Sequence, residues 1–431
     1  MNEKNSDNTE KKLSRLEVMR KLFYFGLGVK RWILTGVIGI SISSIGFAFV
    51  IKNIFTLGLP DVIPWHLEGV LLGIAGLGII LISLYKLYQS TAPLLLSSSR
   101  LDVLTETIYK RRSLSRGPKI VAIGGGTGLS TLLSGMKSYS DNLTAMITVA
   151  DDGGSSGRLR RELGILPPGD FRNCLVAMSD SETLLRDLFQ YRFAQGNGLE
   201  GHSFGNLFIA AMAEVTGSFE KALLESSQVL AVHGRTLPVT LSQISLSAQL
   251  LDGTVIDGET TITERGGSID RILISPQDAT AYPVALEAIS NADILVIGPG
   301  SLYTSIIPNL LVNGVAKTIR ESKATKIYVC NVATQMGETD GYSASDHLKA
   351  LQKHTFRSIV EYAIVSEDSN NLEYHLQTNQ VKSDSEDIVN VKVIKEDLID
   401  TKLPARHNAL KLAQVIMDVY DGKYLSNKPI T

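Results

Sequence analysis

Two glycine-rich turns, GGGTGLS at residues 124–130 and TVADDGGSSGRLRRE at residues 148–162, restrict the fold of this chain more than any other feature. Each follows a short apolar run. The first run, residues 119–123, carries Val121 and Ile123 and is short enough for a buried parallel strand, and residues 129–139 beyond it read as helix. A strand feeding a glycine turn and then a helix gathers several unpaired backbone N–H groups at one point, and the helix dipole draws phosphate there. The spacing departs from both common phosphate loops. Gly124, Gly126 and Gly128 alternate instead of following G-x-G-x-x-G, and no Lys-Ser/Thr pair closes the turn. By itself this turn reads equally well as a tight strand-to-helix connection.

The second turn adds chemistry. Residues 145–150 read as the next parallel strand, which places Asp151 and Asp152 at its carboxyl end. Doubly wound folds put an acidic residue there against a ribose hydroxyl, and the same pair could equally hold Mg²⁺ through water. Gly153, Gly154, Ser155, Ser156, Gly157 and Arg158 then offer backbone donors, hydroxyls and a guanidinium fork that matches phosphate geometry. Arg160 and Arg161 read as helix-surface charges. In PPGDFRN, residues 167–173, Asp170 reads as an N-cap, whereas Asn173 opens an apolar helix and could contact a base edge or hydroxyl. GHSFGN, residues 201–206, sets His202, Ser203 and Asn206 before a helix over 207–215. A third turn, Gly298-Pro299-Gly300-Ser301, follows a buried run at 292–297, so three candidate anion-binding turns outline one crevice. Asn331, Thr334, Gln335 and Glu338 follow a further apolar run and are candidate ligand groups, or simply a loop.

From residue 119 onward strand-like and helical runs alternate, including strands at 326–331, 359–365 and 389–394 and helices at 306–322 and 409–420. That rhythm predicts a parallel sheet with crossover helices. Residues 237–275 break it, with Asp252-Gly253 and Asp257-Gly258 separating short alternating runs like hairpin turns, and read as an antiparallel insertion. The expected fold is therefore α/β, a Rossmann-like, mostly parallel sheet with helices on both faces and a small antiparallel insertion. A net charge of −2 over 431 residues gives no basic field for nucleic acid. Cys174 and Cys330 have neither metal-ligand nor disulfide spacing and read as buried thiols. No Ser-His-Asp spacing and no zinc-type cluster stands out.

The first ninety residues differ in kind. Residues 32–51 and 69–85 are uncharged and near the ~20 apolar residues that cross a bilayer. Lys11, Lys12, Arg15, Arg20, Lys21, Lys30 and Arg31 precede the first run, and Lys86, Arg100, Lys110, Arg111 and Arg112 follow the second, while Lys52, Asp61 and Glu68 are the only Lys, Arg, Asp or Glu residues between them. The positive-inside rule then places both ends in the cytoplasm. The expected organisation is a basic N-terminus at 1–31, a transmembrane hairpin at 32–90, a juxtamembrane linker at 91–117 and a binding domain at 118–425. The chain is thus expected at the cytoplasmic membrane, its domain facing the cytoplasm.

GGGTGLS, TVADDGGSSGRLRRE, GILPPGDFRNCLVA, GHSFGNLF, GPGSLYTSIIPNLL and YVCNVATQMGETDGYSASDHLKAL, in this order from about residue 119 to 365, resemble the YvcK/CofD-like family and its branch of gluconeogenesis factors. The resemblance implies a Rossmann-like domain that binds UDP-glucose or UDP-N-acetylglucosamine. It implies a regulatory role between carbon metabolism on gluconeogenic growth, cell-wall precursor supply and cell shape. Carried over by motif, Gly124, Gly125, Gly126, Thr127 and Gly128 with Gly298, Pro299, Gly300 and Ser301 would contact the diphosphate. Asp151 and Asp152 would contact sugar, ribose or metal, and Asn173, His202 and Asn206 the ligand's polar edge. Gly153, Ser155, Ser156, Arg158, Ser203, Asn331 and Gln335 complete the candidate set. The related CofD branch implies the alternative, transfer of a phospholactyl group from a guanosine-diphosphate donor to a deazaflavin with Mg²⁺. A homo-oligomer with a further protein partner is expected, and Mg²⁺ beside the UDP-sugar is the candidate cofactor.

Overall fold

In the computed structural model the chain divides into two compact units, Met1–Arg112 and Ser113–Thr431. The structure describes residues 40, 41, 44, 112–181, 183–367, 379–384, 391–403 and 405–424. The expected transmembrane hairpin therefore lies outside the described residues, apart from Ile40, Ser41 and Ser44, which are helical. Among the described residues no helix is long and apolar enough to cross a membrane.

The second unit is built on one parallel sheet. Its strands are β1 (Ile120–Gly124), β2 (Leu143–Ile147) and β3 (Arg235–Pro238), then β7 (Ile294–Ile297), β8 (Thr325–Val329), β9 (Tyr362–Ser366) and β10 (Lys392–Glu396). Their order is β10-β9-β8-β7-β1-β2-β3, and every pairing is parallel. The central sequences IVAIG, LTAMI and ILVI are buried at every position, as a strand covered on both faces must be, whereas the outer β10 exposes Lys392 and Lys395. Ile120 lies opposite both Leu143 and Ile294, so β1 is the hinge of the topology. The chain winds outward through β2 and β3, then returns to lay β7 on β1's other side. The reversal opens a crevice beyond the carboxyl ends of β1 and β7.

Helix α1 (Gly126–Met136) leaves β1, and α2 (Gly154–Leu163), α3 (Gly169–Met178), α4 (Thr183–Gln190), α5 (Phe204–Thr216) and α6 (Phe219–Val229) fill the long connection from β2 to β3. Leu129, Leu132, Leu133 and Met136 put one face of α1 into the core, at the three-and-four spacing of an amphipathic helix. Helix α12 (Ala409–Tyr420) closes over α1 so tightly that a Cβ at Gly135 would lie 2.0 Å from the Ala409 carbonyl oxygen.

The antiparallel unit consists of β4 (Ser245–Leu250), β5 (Val255–Asp257) and β6 (Ile269–Ser275), in the order β5-β4-β6. It starts later than 237, because β3 pairs in parallel with β2 and belongs to the main sheet. Asp252-Gly253 does turn a hairpin, with Thr254 N donating to Asp252 Oδ1 at 2.8 Å. Asp257-Gly258 does not. Gly258, at φ +93, opens helix α7 (Glu259–Arg265). After helix α8 (Pro283–Ser290) and β7, the helix expected over 306–322 is broken into a π-turn (Leu302–Ile306), α9 (Ile307–Leu311) and α10 (Val315–Glu321). The break falls at Gly314, whose φ of +98 no continuous right-handed helix accommodates. Helix α11 (Ala344–His354) precedes β9. Cys174 and Cys330 are buried free thiols.

Candidate functional site

The first and third turns form the crevice floor by packing backbone on backbone. A Cβ at Gly128 would stand 2.8 Å from the Pro299 carbonyl oxygen, and one at Gly300 3.1 Å from that of Gly125. Asn331 braces the contact from below: its Oδ1 accepts from Gly300 N at 3.1 Å and its Nδ2 donates to Gly300 O at 2.8 Å. Asn309 Nδ2 donates to Gly124 O at 3.0 Å. Gly128 and Asn331, both expected at the ligand, thus also hold the two turns together. Gly126, by contrast, has φ +65 and open space where a Cβ would be.

Asp170 does not cap its own helix α3, whose N-cap is Pro168. Its Oδ2 crosses 44 residues to accept from Gly126 N at 2.7 Å, filling the first turn of α1. Loss of surrounding water raises this carboxyl to about 6, with the Gly126 N–H and Arg172 pulling it down and Asp151 pushing it up.

Carboxylates gather beside the end of β2. Burial raises Asp151, against the pull of the Gly153 N–H and the Ser156 hydroxyl. Asp152 is committed to α7: its oxygens accept from Glu259 N and Thr260 N, each at 3.0 Å, and from Thr260 Oγ1 at 2.7 Å. Glu259, which the sequence pattern did not single out, is pushed to about 9, first by burial and then by Asp151, Asp170, Asp152 and Glu338. Glu338 is raised by burial although Thr304, Thr263 and Gln335 all donate to its Oε1, at 3.0, 3.1 and 2.8 Å. The Oε2 atoms of Glu259 and Glu338 are buried without a hydrogen-bond partner. Arg160, expected at the helix surface, tucks its guanidinium against Ile244 O at 2.6 Å and Ala150 O at 3.3 Å, beside these acids.

Among the described residues no group of three or more His, Cys, Asp or Glu side chains is arranged to hold a metal. Mg²⁺ commonly takes one or two carboxylates, waters and the ligand's own phosphates. Asp151, which keeps bonding capacity beyond Gly153 N, fits such a partial shell, and Asp152 does not.

On the other side of the second turn, hydroxyl, imidazole and amide groups meet. Ser155 Oγ lies 2.9 Å from His202 Nδ1, and Asn206 Nδ2 donates to Ser155 Oγ at 3.1 Å. Ser203 caps α5 by accepting from Asn206 N at 3.3 Å, and buried Arg172 donates to Ser203 Oγ and to Asn173 Oδ1. Arg172 is thus the organising cation that sequence reasoning passed over. Its only signal was a charge close before the apolar run at 174–178. Ser156 Oγ accepts from Gly169 N at 3.1 Å. Burial and then Arg158 lower the His202 pKa, favouring the neutral ring. Arg158 donates to Glu200 O at 2.6 Å and lines a cavity of about 610 Å³ with Gly196, Asn197, Gly198, Glu200 and Gly201. Another cavity, of about 490 Å³ and lined by Lys119, Asp141 and Arg235 among others, lies at the amino ends of β1 and β2, the wrong edge for the crevice.

Comparison with known proteins agrees with this architecture. Residues 120–399 match the family described as 2-phospho-L-lactate transferase CofD. The gluconeogenesis factor of Bacillus subtilis is 45% identical over 314 residues, covering 71% of this chain and 99% of its own length. A Nostoc sp. protein provisionally called a gluconeogenesis factor is 45% identical over 427 residues, covering 93% of this chain and 92% of its own length. The crystal structure of a UPF0052 family member from Bacillus halodurans is similar with a TM-score of 0.67 at 44% identity, covering 70% of this chain and 99% of that one.

Proposed function

The chain belongs to the CofD family, and from that premise we propose that it is a UDP-sugar-binding regulatory factor. It binds UDP-glucose or UDP-N-acetylglucosamine in the crevice at the β1/β7 reversal and couples gluconeogenic carbon metabolism to wall-precursor supply and cell shape. The observation that carries this reading is the convergence, at one carboxyl sheet edge, of three glycine turns with Asp151, Ser155, Arg158, His202 and Asn206 around them. Such a crevice offers N–H groups and a guanidinium to a diphosphate and polar side chains to a sugar. Any Mg²⁺ bound with the ligand would neutralise diphosphate charge beside Asp151.

A second reading is favoured by the Ser155–His202 contact of 2.9 Å together with the family's description. It is transfer of a phospho-acyl group from a nucleotide-diphosphate donor to an acceptor such as a deazaflavin. Calorimetric titration of the purified full chain with UDP-glucose, UDP-N-acetylglucosamine, GDP and a deazaflavin, followed by mass analysis, separates the two. Saturable UDP-sugar binding with no new product supports the regulator. Failure of both UDP-sugars to bind, or a transferred group on the deazaflavin, overturns it.

We also propose that the N-terminal residues hold the domain at the membrane as a two-span hairpin, in a homo-oligomer that signals to a protein partner. The support is the pair of uncharged runs and the pattern of relatives. The Nostoc match covers too much of this chain to stop at Ser113, whereas the Bacillus subtilis match covers 71% of it. Release of the full chain from membranes by salt alone would count against the anchor.

A further inference from the structure

We infer that the ligand's diphosphate is held by the first turn of α2, beside Ser155 and His202, and not by the first turn of α1. The inference rests on the nucleotide-sugar reading above and fixes which of two similar turns carries the charge. At α1 the chain supplies its own anion. Asp170 Oδ2 sits 2.7 Å from Gly126 N, in the place a phosphate oxygen would take, and its negative charge repels a second anion. At α2, ten residues long, the Asp151 carboxylate accepts from only one backbone N–H, Gly153 N at 3.0 Å, and no side chain accepts from the N–H groups of Gly154 or Ser155 inside the helix. Gly154 has φ +45 and nothing within 4 Å of its missing Cβ, so a ligand can reach the backbone there.

An independent observation points to a ligand at this turn. Asn206 is 2% exposed, and its Oδ1 has no hydrogen-bond partner although the same carboxamide donates to Ser155 Oγ at 3.1 Å. A buried amide oxygen left without a donor is costly, and a donor brought by the ligand satisfies it. The group implied is therefore an anion carrying a neighbouring hydroxyl, as a diphosphate attached to a sugar does. Arg158, one turn further along α2 and lining the 610 Å³ cavity, gives the second phosphate a bidentate partner. Ser155 Oγ, hydrogen-bonded to the neutral His202 ring, completes the set, and an anion arriving there favours the protonated imidazole.

The test uses inorganic pyrophosphate and UDP-N-acetylglucosamine on the full chain and on two near-isosteric variants, Asn206→Asp and Asp170→Asn. Asn206→Asp places a carboxylate against the α2 turn, and Asp170→Asn removes one from the α1 turn. We expect Asn206→Asp to weaken both probes about tenfold or more, the size of a charge-assisted hydrogen bond, and Asp170→Asn to change them far less. The opposite pattern, Asp170→Asn tightening both probes strongly while Asn206→Asp has no effect, overturns the inference. Histidine NMR of the unmutated chain gives a readout that does not depend on how a variant folds. The His202 ring should titrate at higher pH once pyrophosphate is present, and an unmoved ring overturns the assignment. If pyrophosphate obeys the expected pattern while no UDP-sugar binds, the phosphate site stands and the nucleotide-sugar reading falls.

Discussion

The first turns of α1 and α2 start from much the same text, a buried strand, then glycines, then hydroxyl residues, yet the fold equips them differently. Around α1 the glycines serve the protein itself: Gly128 lets the Pro299 turn approach, and Gly126 N–H is answered by Asp170. Around α2, Gly154 faces open space as Gly126 does, but no side chain answers its N–H, Asp151 reaching only Gly153 N, and Ser155 is held by partners from a loop and helix roughly fifty residues away. A glycine turn before a helix is therefore only a capacity to bind an anion. Which capacity is free is settled by what returns from elsewhere in the chain.

Four measurements would break or sharpen that comparison. Gly128→Ala should have the largest effect, because the new methyl meets the Pro299 backbone at 2.8 Å and neither turn can yield cheaply. A loss of about 2–3 kcal/mol is expected from chemical denaturation, and a wild-type midpoint would mean the two turns are not packed as described. Next comes the pH dependence on the β2 side. Glu259 is pushed to about 9, so between roughly its ordinary carboxyl value and 9 the folded chain holds a proton that the unfolded chain has released. Stability contributed by this site is therefore present at low pH and falls as pH rises through that window, by about 1.4 kcal/mol per unit. Glu259→Gln should flatten the slope between pH 6 and 8, and an unchanged slope would detach Glu259 from the carboxylate cluster.

Asp170→Ala should cost about 1–2 kcal/mol at pH 7, the worth of a cap to a helix N-terminus. Asp170 is raised to about 6, so its own contribution likewise falls from about pH 4 to pH 6 and is flat above, and melting curves of the variant should lack that fall. Gly154→Ala should be mildest, about 1 kcal/mol or less from backbone strain at φ +45 with no clash, while weakening pyrophosphate binding. If Gly154→Ala destabilised the fold as much as Gly128→Ala, the distinction between the two turns would fail.

Much of the parallel sheet was legible because each strand announces itself locally. β7 lies within the apolar run that marked it, β8 overlaps its run and starts one residue earlier, and α12 spans the residues its periodicity gave. The boundary at 237 put Leu237 and Pro238 into the insertion for an equally local reason: the end of β3 and the antiparallel strands after it are short runs alike, and only pairing with β2 shows that β3 belongs to the main sheet. The continuous helix expected over 306–322 overlooked Gly314, whose left-handed backbone carries no marker beyond the glycine itself. In the site, Ser155, His202 and Asn206 were singled out from their turns and do meet. Gln335 was also singled out, yet its amide serves Glu338.

By itself the sequence determined the layer order of the α/β domain and the sheet edge on which its polar turns stand. Burial pattern and turn chemistry act over a few residues, and both are written where they act. The tertiary structure alone decided that Asp170 answers α1, that Asp152 answers α7, and that Glu259 and Arg172 belong to the site at all. Those outcomes depend on partners brought together across tens of residues, in surroundings poor enough in water to shift a carboxyl by units of pH.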